Sequence, residues 1–399
     1  MKTKHLIWYL VFLLAFSVKG AAQDNASRIS FDFYGTAVEF PYNFSSRVEF
    51  PGPLTAENIS SFYQRILQIG DLPVISALIN YKRQHQPDDW LFYQLVRKTA
   101  EQISPKAENY ERYTLYKWFF LCQSGYDATL AINKDRLLFY VQSDENIYNI
   151  PYRYRDGKQY VCLNYHDYGA IDFSKEIFAE VILKNNRATN AFSYRITQLP
   201  GFSAENYQEK EISFHFYQTE YQFKVKLNPQ VKTIFTNYPV VDYESYFNIP
   251  LSSETHGSLI SSLKQNMRGM TKKNGVDYLM RFTRYAFLFE KDVDAFGKEK
   301  RMSPEETLLY GQSDCDDRAA LFFYLVKEIY NLPMIVLAYP QHVTIAVQFD
   351  KPVGDPIVYN GKKYSVCEPT PQIQDLQIGE ILPALKKTSY EIVYAYNPN

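Results

Sequence analysis

The chain has 399 residues, with 43 basic and 44 acidic side chains and a formal net charge of −1 at pH 7. This balance argues against a nucleic-acid partner held by electrostatic attraction. The length is sufficient for two or three domains with large hydrophobic cores. Four cysteines can form too few cross-links to stabilise so long a chain, which argues against a disulfide scaffold. At most one disulfide is expected, and Cys122 with Cys162 is the preferred pair.

The first 22 residues have the pattern of a secretory signal peptide. Lys2 and Lys4 precede an apolar run over residues 6–18, and small residues follow at positions 20–22. This run is shorter than the ~20 residues that a membrane-spanning helix needs, and no later stretch is long and apolar enough to span. We therefore predict cleavage after Ala22 and export to the periplasm or the extracellular space. The mature protein is expected to have no integral membrane segment.

Residues 23–168 are predicted to form an N-terminal α+β region. Strand-like alternation is present over residues 23–50, and apolar residues then recur every three or four positions through residues 55–123. The first pattern predicts short strands, and the second predicts a series of helices.

Residues 169–251 are rich in alternating apolar and polar residues, which predicts a central antiparallel β-sandwich or small barrel. No catalytic signal lies within this segment. His166 and His215 each lack a second ligand at metal-binding spacing, so no metal site is predicted. No glycine-rich phosphate loop or dinucleotide fingerprint is present, and no cofactor is expected.

Residues 252–399 contain the strongest functional signal, a cysteine at the start of a predicted helix. Ser313 is a suitable N-cap and Asp316 completes a variant capping box, which would place Cys315 near the second helical position. The amides and the dipole at a helix N-terminus favour a thiolate, although Asp316 and its acidic neighbours oppose it. Asn331 is a suitable end for the helix.

Two strands after this helix carry a histidine and an acid. Residues 334–339 are predicted to form a buried strand, and alternation from His342 to residue 349 predicts a second. Asn360 and Gly361 favour a tight type I′ turn before a third strand that ends at Glu368. If the second and third strands pair antiparallel, Glu368 lies beside His342. Cys315, His342 and Glu368 would then form a nucleophilic triad.

These motifs resemble the transglutaminase-like superfamily. The similarity rests on GQSDCDD at residues 311–317, QHV at residues 341–343 and VCEPT at residues 366–370. It extends over roughly residues 256–372, and it implies a papain-like core with catalytic Cys315, His342 and Glu368. The family pattern in the last motif is Asp-Pro-Thr, whereas this chain has glutamate, which changes the reach of the acid.

The helix and strands of this core have a faint parallel at residues 97–168. In the alignment Asn109, Arg136 and Leu163 stand opposite the three triad positions, so none of the chemistry is repeated. We interpret this segment as part of a degenerate, inactive copy of the same core.

Three functions are consistent with these residues. The first is an exported cysteine peptidase or amidase that acts on proteins, peptides or cell-wall peptides through a thioester acyl-enzyme, with the Cys315 amide and the Gln312 side chain as oxyanion donors. If a lysine amine intercepts the same acyl-enzyme, the protein is a crosslinking transglutaminase. The third is a catalytically inactive envelope or surface scaffold, which the glutamate at position 368 favours.

Overall fold

The structure is a computed structural model that describes residues 28–70, 72–183, 188–297 and 299–398. The predicted signal peptide at residues 1–22 lies outside these ranges. Helices and strands are mixed along the chain, and two sheets curl into half barrels. Among the described helices, none combines the length and the apolar character needed to cross a membrane.

The N-terminal part begins with a hairpin followed by four helices, in agreement with the patterns over residues 23–123. These elements are β1 (Arg28–Phe33), β2 (Thr36–Pro41), α1 (Ala56–Gln68), α2 (Pro73–His85), α3 (Asp89–Ile103) and α4 (Tyr110–Gln123). Helix α1 is amphipathic and buries Ile59, Phe62 and Ile66, three or four residues apart. Helix α4 is buried nearly all round, since it packs against both α3 and the sheet that follows.

The first half-barrel sheet follows α4. Its neighbourhood contains β3 (Ala128–Ile132), β4 (Leu137–Gln142), β5 (Ile147–Tyr148), β6 (Tyr152–Arg155), β7 (Lys158–Cys162) and β8 (Ala179–Val181). Five of these strands pair antiparallel in the order β6-β7-β4-β3-β8. Strand β8 lies beyond residue 168, so the segment predicted as a separate β-rich domain contributes an edge strand to this sheet.

The central sandwich or barrel predicted for residues 169–251 does not form within the described residues. After β8 come β9 (Gln208–Phe216), β10 (Thr219–Leu227), α5 (Gln230–Phe235), β11 (Val240–Val241) and α6 (Tyr243–Phe247). Strands β9 and β10 make a two-stranded hairpin, and β11 pairs with β5 in a separate two-stranded sheet.

Carboxylate side chains from other segments explain why residues 192–197 form no strand. Residues 192–197 alternate like a strand, but the amides of Ser193 and Thr197 donate to Asp89 and Asp88, and that of Tyr194 donates to Glu145. Because carboxylates take these N–H groups, no neighbouring strand is needed to satisfy them.

The C-terminal part begins with helices that cover the β9–β10 hairpin. The elements are α7 (Ser253–Asn266), α8 (Lys272–Tyr285), β12 (Leu288–Phe289), α9 (Asp292–Phe296), α10 (Pro304–Tyr310), β13 (Gln312–Ser313) and α11 (Cys315–Tyr330). Helix α7 packs on β10 and α8 packs on β9, so helices take the place of a second sheet on the hairpin. Ser303 and Glu306 form a capping box at the start of α10, as the sequence predicts.

The second half-barrel sheet follows α11. Its strands are β14 (Met334–Tyr339), β15 (His342–Val347), β16 (Ile357–Tyr359), β17 (Lys362–Cys367) and β18 (Glu391–Tyr396). They pair antiparallel in the order β16-β17-β15-β14-β18. Asn360 and Gly361 both have positive φ in the turn between β16 and β17, which confirms the predicted I′ hairpin.

The two five-stranded sheets have the same connectivity, each preceded by a long helix. Cys162 pairs with Tyr140 in the first sheet and Cys367 pairs with Ile345 in the second, which fixes the correspondence of their strands. In this register Leu163 matches Glu368, in agreement with the sequence alignment of the two segments. Leu137, not Arg136, matches His342, because each lies three residues before the residue that pairs with the cysteine, Tyr140 in β4 and Ile345 in β15.

The helix starts also correspond. Tyr110, not Asn109, matches Cys315, since Asn109 is the N-cap of α4. Helix α4 and the first sheet thus have Tyr110, Leu137 and Leu163 at the three positions where α11 and the second sheet have a thiol, an imidazole and a carboxylate. None of the triad chemistry is repeated there.

No disulfide joins Cys122 to Cys162, which corrects the preferred pairing. The Cys122 sulfur contacts the carbonyl of Ala128, whereas the Cys162 sulfur contacts Asn164 Oδ1. Cys122 packs in the main core, and Cys162 lies in a separate small cluster on the other side of the first sheet. The sheet therefore separates the two thiols.

Candidate functional site

Cys315 is the first residue of α11, one position earlier than predicted. The N-cap is Asp314, whose Oδ1 accepts hydrogen bonds from the amides of Asp316 (3.1 Å) and Asp317 (3.5 Å). Ser313 instead belongs to β13, and its buried hydroxyl has no hydrogen-bond partner among the residues that the structure describes. A carboxylate is the stronger acceptor for helix N-terminal amides, which explains why it displaces the serine as cap.

His342 and Glu368 lie together, as the strand arrangement predicts. Antiparallel pairing of β15 with β17 sets Ile345 opposite Cys367 and brings the start of one strand beside the end of the other. The distance from His342 Nε2 to Glu368 Oε2 is 2.7 Å. Glu368 Oε1 also accepts the amide of Thr370 at 2.9 Å, so both carboxylate oxygens are fixed. The longer acid therefore reaches the imidazole despite the departure from Asp-Pro-Thr.

The thiol of Cys315 lies at the start of β15. The amide of Val343, the residue after His342, lies close enough to the sulfur to lower the pKa of the thiol. The thiol itself donates to Asp316 Oδ1 at 3.4 Å. Within the described residues, no hydrogen bond joins the Cys315 sulfur to the His342 ring. The three side chains are thus brought to one place, with the cysteine turned toward its acidic neighbour.

The thiol is electrostatically disfavoured as a thiolate. Burial raises the pKa of Cys315, the charges of Asp316 and Asp314 raise it further, and the Val343 amide only partly offsets them. These effects oppose the thiolate that is expected at the helix N-terminus. Any attack by this sulfur requires a base that removes its proton during the reaction.

The His342 imidazole, in contrast, is stabilised in its charged form. Burial lowers its pKa, but the hydrogen bond and charge of Glu368, together with Asp316 and Asp314, outweigh burial and raise the pKa above 6.5. The contact from Nε2 to Glu368 leaves Nδ1 as the ring nitrogen that can accept a proton from a thiol. The pair is therefore suited to act as a general base.

We expect Glu368→Gln to destabilise the protein more at about pH 5.5 than at about pH 9. Because the pKa of His342 is raised in the folded state, the charged pair stabilises folding below pH 6.5, and this contribution is lost as pH rises through the folded pKa. The loss at the lower pH should be about 1–3 kcal/mol, the range for hydrogen bonds to charged groups. Urea unfolding at both pH values measures it. Glu39→Gln, in an exposed ion pair with Arg28, is the control, and an equal loss at both pH values would contradict the charged pair.

The residues predicted as oxyanion donors are Cys315 itself and Gln312, three positions before it in sequence. The amide of Cys315 is the first of the helix and has no acceptor within α11. Gln312 is half-buried in β13, beside Leu288 of β12, and its amide group has no hydrogen bond among the described residues. Both donors are therefore available to a ligand.

Two buried arginines that sequence reasoning missed hold the site together. Arg284 donates to the carbonyl of Glu368 and to Asp375 Oδ1 (2.8 Å), which fixes the end of β17. Arg318 donates to the carbonyls of Thr283 (2.7 Å), Arg284 (2.9 Å) and Phe287 (2.9 Å), which ties α11 to the end of α8. Their sequence signal is weak, because arginines in helices are usually exposed.

A cleft of about 680 Å³ opens beside the helix N-terminus. Asp314 and Asp316, on either side of Cys315 in sequence, contribute to its wall. The remaining lining is strongly acidic and includes Asp242, Asp292, Glu299 and Glu391, with Lys300 and Arg301 as the basic residues. One carboxylate oxygen from each of Asp292, Glu299 and Asp314 lies within 4.8 Å of the other two.

No protein-family model matches the chain, and no curated protein is matched by it. The chemistry of the site is therefore argued from its own geometry.

Proposed function

We propose that residues 252–399 form a transglutaminase-like thiol hydrolase that cleaves amide bonds in exported proteins, peptides or cell-wall peptides. The observation that supports this best is the His342–Glu368 pair at 2.7 Å, next to a thiol at the first position of a helix. A nucleophile, a base and an acid that orients the base are the three groups that a catalytic triad requires.

The reaction would begin with proton transfer from the Cys315 thiol to His342 Nδ1. The sulfur attacks the carbonyl carbon of the substrate, and the carbonyl oxygen becomes a tetrahedral oxyanion. His342 then returns the proton to the leaving nitrogen, the C–N bond breaks and a thioester remains on Cys315. Glu368 stabilises the imidazolium because its carboxylate accepts a hydrogen bond from the Nε2–H group.

The oxyanion would be held by the Cys315 amide and the Gln312 side chain. In the second half of the cycle His342 takes a proton from water. The resulting hydroxide attacks the thioester, and the acid product leaves as the thiol regains its proton. The atoms balance as amide plus water giving acid plus amine.

A catalytically silent binding scaffold is the second candidate. It is favoured by the raised pKa of Cys315 and by the hydrogen bond from this thiol to Asp316 in place of His342. In that case the cleft lined by Asp314 and Asp316 would bind a peptide without cleaving it.

Hydrolysis of a p-nitrophenyl ester of a short peptide separates the two candidates. We expect Cys315→Ala to lower kcat/KM by at least about 10³-fold, as removal of a triad nucleophile does in other enzymes. Cys162→Ala, at a buried cysteine on the first sheet, is the matched control and should retain the wild-type rate. A wild-type rate no higher than that of Cys315→Ala would reject the hydrolase and leave the scaffold.

A further inference from the structure

The second half-barrel sheet has two apolar faces. One face packs in the main core with α11, and the other carries a separate cluster that includes Tyr339 and Val366. These two residues line a cavity of about 620 Å³, a volume typical of ligand sites. The strap, residues 371–390 between β17 and β18, packs on the same cluster with Ile381 and Leu385, which also line the cavity. The cavity therefore lies between the sheet and the strap.

The strap is anchored to the rest of the fold. Asp375 pairs with the buried Arg281 at 2.7 Å, and the amide of Gly379 donates to the carbonyl of Val366 at 2.8 Å. Gly354 and Gly379, both with positive φ, meet at the wall of the cavity, where a Cβ on Gly354 would lie 2.2 Å from the Gly379 carbonyl oxygen. The strap then continues directly into β18. Because it is held at both ends, the cavity beneath it is preformed.

Tyr339 connects this cavity with the candidate site. It is the last residue of β14 and pairs with His342 across the hairpin, with the centroids of the two rings 6.5 Å apart. The ring of Tyr390 lies 5.3 Å from that of Tyr339. Both tyrosines also line a second cavity of about 480 Å³, together with Pro340 of the turn. The two cavities share these rings and thus lie side by side next to the imidazole.

Tyr339 also carries an unsatisfied polar group. Its side chain is only 6% exposed, and its hydroxyl has no hydrogen-bond partner among the described residues. Burial, together with the charges of Tyr390 and Glu368, raises the pKa of Tyr339 to about 12, so the group is a neutral hydroxyl at physiological pH. A buried hydroxyl without a partner is costly. The backbone of a bound chain can supply the missing partner.

The contact with His342 assigns the cavity to one side of the scissile bond. In the proposed reaction His342 returns a proton to the leaving nitrogen, so this nitrogen lies beside the imidazole when the bond breaks. The substrate residue that carries the nitrogen therefore extends from His342, and the ring of Tyr339 packs next to that imidazole. An amine that attacks the thioester approaches from the same side, since its attack is the reverse of leaving-group departure.

We propose that the cavity between the strap and the second sheet binds a large apolar side chain of the substrate, on the residue at the amine side of the scissile bond, with Tyr339 as a specificity-determining residue. This assignment rests on the proposed hydrolase. The buried and half-buried lining residues are aromatic or aliphatic, apart from Gly379, whereas the charged residues Asp355, Glu380 and Lys386 are exposed. Such walls favour an apolar group, because its transfer out of water is favourable.

Competition between amines for the thioester tests this assignment. The wild-type protein is acylated with a p-nitrophenyl peptide ester in the presence of L-phenylalaninamide or glycinamide, and the peptide acid and peptide amide are quantified by mass spectrometry. The amine attacks the thioester carbonyl, the C–S bond breaks, and the proton lost by the nitrogen returns to the sulfur. We expect L-phenylalaninamide to capture the acyl group about 10–100-fold more efficiently than glycinamide, the scale of discrimination in hydrophobic pockets. The ratio of amide to acid does not depend on how fast the thioester forms.

Two pairs of variants locate the preference. Ile381→Trp should fill the cavity and abolish the preference, whereas Ile373→Trp, at a fully exposed position on the same strap, should keep it. Tyr339→Phe should weaken capture of L-phenylalaninamide about 2–10-fold through loss of one hydrogen bond. Tyr194→Phe, at another buried tyrosine with an unpartnered hydroxyl, should not weaken it. Equal capture of the two amines, or a preference that persists in a folded Ile381→Trp protein, would overturn the proposal.

Binding without turnover separates this proposal from the hydrolase itself. In saturation-transfer NMR with the Cys315→Ala protein, we expect the ring protons of L-phenylalaninamide to be saturated, and the effect should be lost when Ile381→Trp is added. Ester hydrolysis by the wild type without this ring contact would overturn the proposed cavity and leave the hydrolase. Ring contact without ester hydrolysis would reject the hydrolase and support the cavity as a site for an apolar group.

Discussion

His342→Ala should lower kcat/KM for a p-nitrophenyl peptide ester by about 10²–10⁴-fold, the usual contribution of a general base. The reason is the state of the nucleophile. Burial, Asp316 and Asp314 raise the pKa of Cys315, so the sulfur depends on His342 to remove its proton. In a site with a stable thiolate, the same substitution would have a smaller effect on the first step.

His215→Ala is the matched control for this experiment. His215 lies on β9, is exposed and has no place in the site, so its replacement should leave kcat/KM unchanged. Thermal unfolding of both variants shows whether a lower rate comes from the missing general base or from an unfolded protein. A His342→Ala rate within a factor of about two of the wild type would contradict the base role, because general bases contribute far more than that.

Arg318→Met should lower the free energy of unfolding by about 3–5 kcal/mol, since buried polar groups left without partners cost about 1–3 kcal/mol each. Arg318 is fully buried and donates to the carbonyls of Thr283, Arg284 and Phe287. Methionine fills much of the same volume but donates no hydrogen bond, so three buried acceptors would lose their partner.

Urea unfolding followed by tryptophan fluorescence measures the effect. Arg28→Met is the control, because Arg28 is mostly exposed and forms only a surface ion pair with Glu39. It should change the free energy of unfolding by less than about 0.5 kcal/mol. A loss below about 1 kcal/mol for Arg318→Met would mean that water replaces the arginine at these carbonyls.

Local patterns predicted the second half-barrel well. Asn360-Gly361 favours the tight turn that forms between β16 and β17, and Asn331 ends α11 in a left-handed conformation. The contact between His342 and Glu368 follows from this register, because antiparallel strands joined in this order bring the two residues together. Such signals lie within a few residues of the structure that they predict.

Features that depend on distant residues could not be predicted in this way. The strands of β9 and β10 are read correctly from their alternation, but their apolar face is covered by α7 and α8, so no sandwich is required. Residues 192–197 alternate in the same way and form no strand, because aspartates and a glutamate from other segments bind their amides. Alternation predicts an extended backbone and does not identify the partner.

The candidate site also combines features that nearby residues predict with features that depend on distant residues. Cys315, His342 and Glu368 are recognised from types and order, whereas the carboxylate group of Asp292 and Asp314 joins residues far apart in sequence. The N-cap of α11 is Asp314 in place of the predicted Ser313, because the sequence does not reveal that the Ser313 side chain is directed into the interior. Electrostatic consequences of such placement, including the raised pKa of Cys315, follow only from the folded arrangement.

Trapping the thioester tests the central claim most directly. The wild-type protein is mixed with a p-nitrophenyl peptide ester, quenched with acid during turnover, and examined by intact-protein and peptide mass spectrometry. We expect one acyl group on the peptide that contains Cys315, and none on this peptide in Cys315→Ala. Ester hydrolysis with no acyl group on Cys315, or acylation confined to another residue, would contradict a Cys315 nucleophile and the proposed hydrolase with it.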